Sequence, residues 1–250
     1  MTTAIGDAAG VEIRRLTRTG LLLGLLVTFA FFGLAGPALA LYMPQILGAA
    51  AGTEQLTIEA AEATPADGIA FYDQSAMQLG LIFAIAVAVT ALGWDARTGS
   101  SIFYRTRVQR LASVLLPRLA VDAAAAVVGY SIGFLLAVVL TSITIGAVAA
   151  GSALALWISS TVYLLMAMSI GHLLMAAMRR TAAAIAVTTV VVLLLPVLSQ
   201  VGAVAAWMPT SLLGSSTILV WPLVSAVVVA AACVAGATVV AGRQTLRRDT

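Results

Sequence analysis

The topology of this chain follows from residues 93 to 118, which read GWDARTGSSIFYRTRVQRLASVLLPR. This stretch carries five arginines and separates two long apolar runs. Positively charged loops stay on the cytoplasmic side when a membrane protein inserts. Apolar residues also recur through the stretch at helical spacing, which is typical of a helix lying at the membrane surface. The sequence therefore predicts a cytoplasmic loop with a short helix that is available to a soluble partner.

The composition excludes a soluble globular domain. Of 250 residues, 62% are hydrophobic and 9% are charged, with a mean hydropathy of +1.08. These values indicate an all-α polytopic membrane protein. All thirteen basic residues are arginine, and a nucleotide-binding P-loop requires a lysine, so we expect no ATP hydrolysis through a P-loop by this chain. We also expect no enzymatic activity, because a single histidine and no mid-span carboxylate offer no catalytic constellation. The arginines are dispersed among loops, which reports topology and not a nucleic-acid partner.

Six apolar runs have the length of membrane spans. They cover residues 20–42, 76–92, 119–145, 153–178, 181–201 and 219–241. This arrangement puts every arginine on one side: three at the amino end, five in the central loop, two after the fourth span and three at the carboxyl end. An arginine at mid-span would cost about 2.5–3.5 kcal/mol. The sequence thus predicts a multi-pass protein of the cell membrane with both termini cytoplasmic.

The predicted domain organisation has three parts. They are an amphipathic helix at residues 1–19, a six-span domain at 20–241 and a cytoplasmic tail at 242–250. The six-span domain contains an outer loop at 43–75, a coupling loop at 93–118 and an outer re-entrant stretch at 202–218. The outer loop carries five acids and no arginine, so we expect a solvated cap, with attraction of a cationic cargo as the alternative. A secretory signal in the first 42 residues is disfavoured because the apolar run exceeds the usual length of about 7–15 residues.

Few ionisable residues fall within the predicted spans. Asp122 lies four residues after Arg118, a spacing that favours a local ion pair. His172 is the only histidine, and its position near the inner end of a span favours a structural role. No metal site is expected, and Cys233 is expected to serve packing. The small-residue spacing of Gly129 and Gly133 favours either a compact bundle or a dimer contact.

The order of these parts resembles a type-2 ABC exporter permease. In that family the loop after the second span begins with an acidic residue, followed by a Gly-Thr-like step, a short coupling helix and a Pro-Val-Ser-Arg-like turn. Here a serine replaces the threonine and an arginine replaces the proline. The resemblance assigns contact with the ATPase to Asp95, Thr98, Gly99, Ile102, Phe103, Tyr104, Arg105, Arg107 and Arg110.

The resemblance implies a transport subunit with several partners. The chain would pair with a second permease copy or a paralogue, and with separate ATPase subunits that hold ATP and magnesium, while needing no cofactor itself. The cargo would be an apolar or amphipathic drug, peptide or lipid-like product moved outward between two copies. Spans one, two and five would form the walls. From the sequence itself, Phe31, Phe32 and Phe83 are candidate lining residues, with packing against lipid as the alternative for each. The alternative is a secondary transporter or channel driven by an ion gradient without an ATPase.

Overall fold

A computed structural model describes residues 2–51, 63–93, 112–198 and 205–243 of the protein. The regular structure in these ranges is helical, without strands, which confirms the all-α class. The α-helices are α1 (Thr2–Arg18), α2 (Leu21–Ala51), α3 (Pro65–Ser75), α4 (Leu81–Ala91), α5 (Ala112–Thr144), α6 (Ala150–Met178), α7 (Thr181–Leu198) and α8 (Val220–Arg243). A π-helical turn, Ala76–Gly80, joins α3 to α4, and two short 3-10 helices, Ala205–Trp207 and Pro209–Leu212, precede α8.

Five helical segments of the described residues are long and apolar enough to cross a membrane. They are Leu21–Ile46, Pro65–Ala91, Ala112–Thr144, Ala150–Met178 and Val220–Arg243. These segments support a polytopic membrane protein. The sequence predicts six spans and the structure shows five segments of sufficient length in the ranges it describes. The difference is the predicted fifth span, because α7 is apolar but has only 18 residues.

Helix boundaries near the predicted outer loop differ from the expectation. Helix α2 continues to Ala51, nine residues beyond the predicted end, and α3 begins at Pro65, eleven residues before the predicted start. Thr64 and Asp67 form a capping box at the start of α3, with Pro65 in the first turn. Residues 65–75, predicted as part of a solvated loop, are therefore helical. Glu54, Glu59 and Glu62 lie outside the described residues.

Close helix packing depends on glycines. A Cβ atom on Gly33 of α2 would collide with the carbonyl oxygen of Gly133 in α5, and a Cβ on Gly133 would collide with the carbonyl oxygen of Phe29. Gly129 also faces α2, with the Phe29 ring 3.1 Å from the position of its Cβ. The Gly129 and Gly133 pair thus joins two helices of one chain, as small residues do in membrane bundles. Of the two roles predicted for this pair, the structure shows the compact bundle.

Helix α6 lies at the centre of the bundle and contacts α4, α5, α7 and α8. Helices α2, α5 and α7 begin at one end of the bundle, where α4, α6 and α8 finish. We call this the basic end, because the arginines of the described residues lie there: Arg14, Arg15, Arg18, Arg118, Arg179, Arg180 and Arg243. The opposite end, where α3 begins and the 3-10 helices lie, is called the far end. Trp207 and Trp221 contact each other there with ring centroids 4.7 Å apart, and both are exposed, as interfacial aromatic residues are.

Candidate functional site

The basic end holds a buried group of four charged side chains, Glu12, Arg15, Arg118 and Asp122, which we call the ionic cluster. Glu12 and Asp122 are fully buried. Arg15 Nε donates to Glu12 Oε1, and Arg15 Nη2 donates to both Asp122 oxygens at 3.3 and 3.4 Å. Arg118 Nε lies 3.7 Å from Glu12 Oε2. Two carboxylates thus face two guanidinium groups, so the charge is balanced within the chain.

The ionic cluster joins three helices through backbone as well as side-chain contacts. Arg15 of α1 also donates to Thr90 Oγ1 at 3.0 Å and to the Val87 carbonyl at 3.4 Å, both in α4. Arg118 of α5 donates to the carbonyl of Ala91, the last residue of α4, at 3.3 Å. The helices on both sides of the arginine-rich loop are therefore fastened to the amino-terminal helix.

One face of helix α1 packs against the bundle, and the buried residues of that face recur at helical spacing. Ala8, Glu12 and Leu16 are buried four residues apart, whereas Val11 and Ile13 on the other side are about half exposed. The predicted position of this helix on the membrane surface stays a prediction. The face that packs on the bundle carries the acid of the ionic cluster, because Arg15 and Arg118 are there to pair with it.

The far end holds a third buried acid, Asp73 of α3, which is 1% exposed. Tyr130 Oη donates to Asp73 Oδ1 at 2.9 Å, and the backbone N–H of Gly214 donates to Oδ2 at 3.3 Å. Every arginine that the structure describes is at the basic end, and eighteen residues of helix, about 27 Å, separate Asp73 from Ala91. Within the described ranges Asp73 therefore has hydrogen-bond donors but no cationic partner.

An aromatic group holds Tyr130 in place. Tyr72 Oη donates to the Tyr130 carbonyl at 2.7 Å, and the two rings stack with centroids 5.6 Å apart. The Phe29 ring meets Tyr130 edge to face at 5.9 Å. Gly36 makes room for this packing, since a Cβ there would lie 2.6 Å from the Tyr72 nitrogen. The hydroxyl that binds Asp73 is thus fixed by α2, α3 and α5 together.

The loop before α8 supplies the second donor. Leu212, at the end of the 3-10 helix Pro209–Leu212, is fully buried and anchors the loop in the bundle. Gly214 follows with φ at 70°, in the left-handed region that glycine adopts without strain. Its N–H then reaches Asp73. Of the predicted re-entrant stretch, Pro209, Thr210 and Leu212 therefore pack into the bundle, whereas Trp207 and Ile218 are exposed.

A cavity of about 330 Å³ lies beside Asp73. Its lining residues are Ala70, Asp73, Gln74, Met77, Gln78, Leu213 and Gly214. Two of them, Met77 and Gln78, belong to the π-helical turn, an irregularity often found at functional sites. The volume falls within the lower part of the range of small-molecule sites, about 300–1,000 Å³. We call this cavity the Asp73 cavity.

A larger cavity of about 570 Å³ lies between α6 and α8, beside the start of α5. Its lining includes Leu116, Val162, Leu165, Val227 and Val234, with Thr238 as its polar member. Such a lining suits a hydrocarbon chain and offers no charge. It differs in this respect from the Asp73 cavity.

The sequence-predicted site residues fall into two groups. Those assigned to ATPase contact, from Asp95 to Arg110, lie outside the described residues. Of the three candidate lining residues, Phe31 is 62% exposed, whereas Phe32 and Phe83 pack against the core. The Phe83 ring fills the space beside Gly24, with its Cζ 2.7 Å from the position of a Cβ. The three phenylalanines therefore do not share one exposed surface.

The two remaining residues that the sequence singled out, His172 and Cys233, lie within helices of the bundle. His172 is 2% exposed and lies in α6. Cys233 is partly buried in α8. Among the described residues no group of three or more histidine, cysteine or acidic side chains is arranged to hold a metal ion.

Sequence reasoning missed Asp73, which it assigned to the solvated outer loop, and Glu12. A signal for Asp73 was present, because Thr64, Pro65 and Asp67 together mark a helix start eight residues before it. For Glu12 the three-residue spacing to Arg15 indicated a local pair, but its second partner, Arg118, lies in a distant helix.

Comparison with known proteins gives no relative. No family model matches the chain, and neither a curated protein nor a solved structure matches it significantly.

Proposed function

We propose that the chain is the membrane subunit of an ATP-driven exporter of the type-2 ABC class. It has six spans, with α7 as the fifth, and both termini in the cytoplasm. Its partners are separate ATPase subunits, which bind ATP and magnesium, and a second permease copy or paralogue. It moves an apolar or amphipathic compound outward through the cell membrane.

The ionic cluster is the observation that carries this proposal. A subunit driven from outside needs a stiff connection between the loop that receives the force and the spans that move. Arg15 binds α4 and α5, the two helices that border the arginine-rich loop. A displacement of that loop would then be passed to three helices at once. The absence of lysine from the sequence supports the same division of labour, because the P-loop lysine must come from another chain.

Exposed apolar faces support pairing with a second copy. Phe31 of α2 and Leu194 of α7 are more than half exposed and lie on faces made of large apolar residues. In a background with Cys233→Ala, we expect Phe31→Cys and Leu194→Cys to crosslink two copies in the membrane. Leu154→Cys on α6, exposed to a similar degree, is the matched control. Crosslinks confined to the control would contradict this arrangement.

The ATPase partnership can be tested by purification from native membranes. The chain should bring with it an ATPase that contains the G-x-x-x-x-G-K-[ST] motif and hydrolyses ATP. A Phe103→Ala, Tyr104→Ala double variant should lose both the subunit and the ATPase activity, because paired aromatic side chains are frequent anchors of interfaces.

A Trp207→Ala, Trp221→Ala double variant is the matched control, since it removes two contacting aromatic residues at the far end of the bundle. It should retain the ATPase. Recovery of the wild-type amount of active ATPase with the Phe103 and Tyr104 variant, or its absence from the wild-type preparation, would overturn the proposal.

Asp73 favours a second candidate function. A buried carboxylate within a membrane helix, without a cationic partner in the described ranges, is typical of transporters coupled to an ion gradient. This candidate requires transport by the chain alone in proteoliposomes under a proton or sodium gradient. The exporter requires the ATPase and ATP in the same assay.

A further inference from the structure

We propose that the Asp73 cavity binds the protonated amine of an organic cation. The inference rests on the proposed function: the amine would be the polar head of the exported compound. The site would thus select amphipathic cations from among apolar compounds.

The charge of the site is the first argument. Asp73 is 1% exposed, and both of its oxygens accept hydrogen bonds, so the carboxylate is held in place but, when ionised, has only neutral donors beside it. A buried charge without a partner of opposite sign is unfavourable. The ionic cluster supplies such partners to Glu12 and Asp122, whereas the described residues supply none to Asp73. A cation bound in the adjoining cavity would restore the balance.

The lining of the cavity distinguishes an organic amine from a metal ion. Hard metal ions require about six oxygen ligands. The lining offers one carboxylate and the amides of Gln74 and Gln78, while Ala70, Met77 and Leu213 are apolar. An ammonium group has three donors for those oxygens, and its hydrocarbon body can contact the apolar residues. The volume of about 330 Å³ also suits an organic molecule better than a single ion.

The exposed face of the second span gives independent support. Gln74 and Gln78 are exposed, four residues apart, at depths of about 14 and 20 Å from the start of α3. Amide groups facing lipid at such depth are unfavourable, so this face is suited to a polar route. The exposed residues of α2 include Val27, Phe31 and Leu34, which suit lipid or another helix. The Asp73 cavity therefore opens beside two exposed glutamines, an arrangement that no other span has among the described residues.

A binding measurement on the purified full chain tests the proposal. The probe is phenethylammonium, and 2-phenylethanol is its neutral analogue of similar size. Equilibrium dialysis should give saturable binding of the ammonium probe that the alcohol does not displace. Asp73→Asn should bind it about 10- to 100-fold more weakly, the effect of losing one charge-assisted contact.

Asp67→Asn is the matched control, because Asp67 is an exposed acid on the same helix outside the cavity lining, and it should bind as the wild type does. Gln78→Glu is a second variant that keeps Asp73 and adds a carboxylate to the lining. It should bind the probe more tightly, and this holds even if Asp73→Asn fails to fold.

Several results would overturn the proposal. They are a wild-type protein that does not bind the probe at millimolar concentration, equal binding by Asp73→Asn, an affinity unchanged by Gln78→Glu, or displacement by 2-phenylethanol. Displacement by millimolar sodium or magnesium would identify an inorganic cation site instead. The binding measurement uses no ATPase, so a negative binding result would not contradict the ATPase partnership. Conversely, if no ATPase co-purifies, the cation-binding site is not contradicted, and only its role in ATP-driven export is removed.

Discussion

The two ends of the bundle handle buried acids in opposite ways. At the basic end, Glu12 and Asp122 are fully buried and face Arg15 and Arg118. At the far end, Asp73 is almost as deeply buried, yet its described neighbours are neutral: the Tyr130 hydroxyl, the Gly214 N–H and the Ser160 hydroxyl. Burial alone therefore does not distinguish the two sites. Charge balance does.

This difference indicates different roles. A buried acid paired within the chain holds helices in fixed positions, and breaking the pair is costly because a charge is left alone. A buried acid supported only by neutral donors remains able to attract a cation from outside the chain. We therefore interpret the ionic cluster as a structural connection and Asp73 as a binding residue.

The largest expected effect is on the ionic cluster. Asp122→Asn keeps the shape of the side chain but leaves two guanidinium groups facing one carboxylate. We expect the free energy of unfolding to fall by about 3–5 kcal/mol, as for other broken buried ion pairs. Thermal or denaturant unfolding of the purified protein in detergent measures this. Asp7→Asn, which neutralises an exposed acid of α1, serves as the control. A loss below about 1 kcal/mol for Asp122→Asn would mean that the cluster is not structural.

A double-mutant cycle sharpens the assignment of partners. Arg15→Met and Asp122→Leu each leave an unbalanced charge, whereas the double variant retains the balanced pair of Glu12 and Arg118. The double variant should be more stable than the sum of the two single losses predicts, by about 0.5–3 kcal/mol. Unfolding measurements on the four proteins give this coupling energy. Simple additivity would show that Arg15 and Asp122 act independently despite their distance of 3.3 Å.

The smallest expected change in stability is at Asp73. Asp73→Asn removes an unbalanced charge and keeps an oxygen that can accept from Tyr130 or Gly214. We expect the free energy of unfolding to rise, or to fall by less than about 1 kcal/mol. The same unfolding assay used for Asp122→Asn gives a direct comparison. A loss as large as that of Asp122→Asn would remove the distinction between the two ends, because Asp73 would then be structural as well.

The sequence predicts the all-α membrane class because the apolar signal is local. The apolar runs correspond in order to α2, the segment Pro65–Ala91, α5, α6, α7 and α8. The helix limits were less accurate at the far end. Apolar length alone starts this span at residue 76 and leaves Asp73 in a solvated loop. The capping residues instead start α3 at Pro65, so Asp73 lies within a helix.

The ionic cluster was only half predictable. Four-residue spacing predicts a pair of Asp122 with Arg118, whereas the structure pairs Asp122 with Arg15, 107 positions earlier, and brings Arg118 to Glu12. Such a contact depends on where α1 lies against α4 and α5, and no spacing within one helix reports that. The Asp73 site has the same limit, since Gly214 reaches it from 141 positions away.

The π-helical turn Ala76–Gly80 has a consequence for chain length. Hydrogen bonds in such a turn span one residue more than in an α-helix, and one residue of α-helix corresponds to a rotation of about 100°. Deleting a single residue there, such as the exposed Leu79, would let α3 and α4 merge into a continuous α-helix. Because the wide turn absorbs one extra residue, Asp73 would keep about the same orientation toward Tyr130 and Gly214 after this deletion, whereas a deletion within α4 would rotate it by about 100°. The orientation of the carboxylate thus depends on where along this segment a residue is lost as well as on which residue it is.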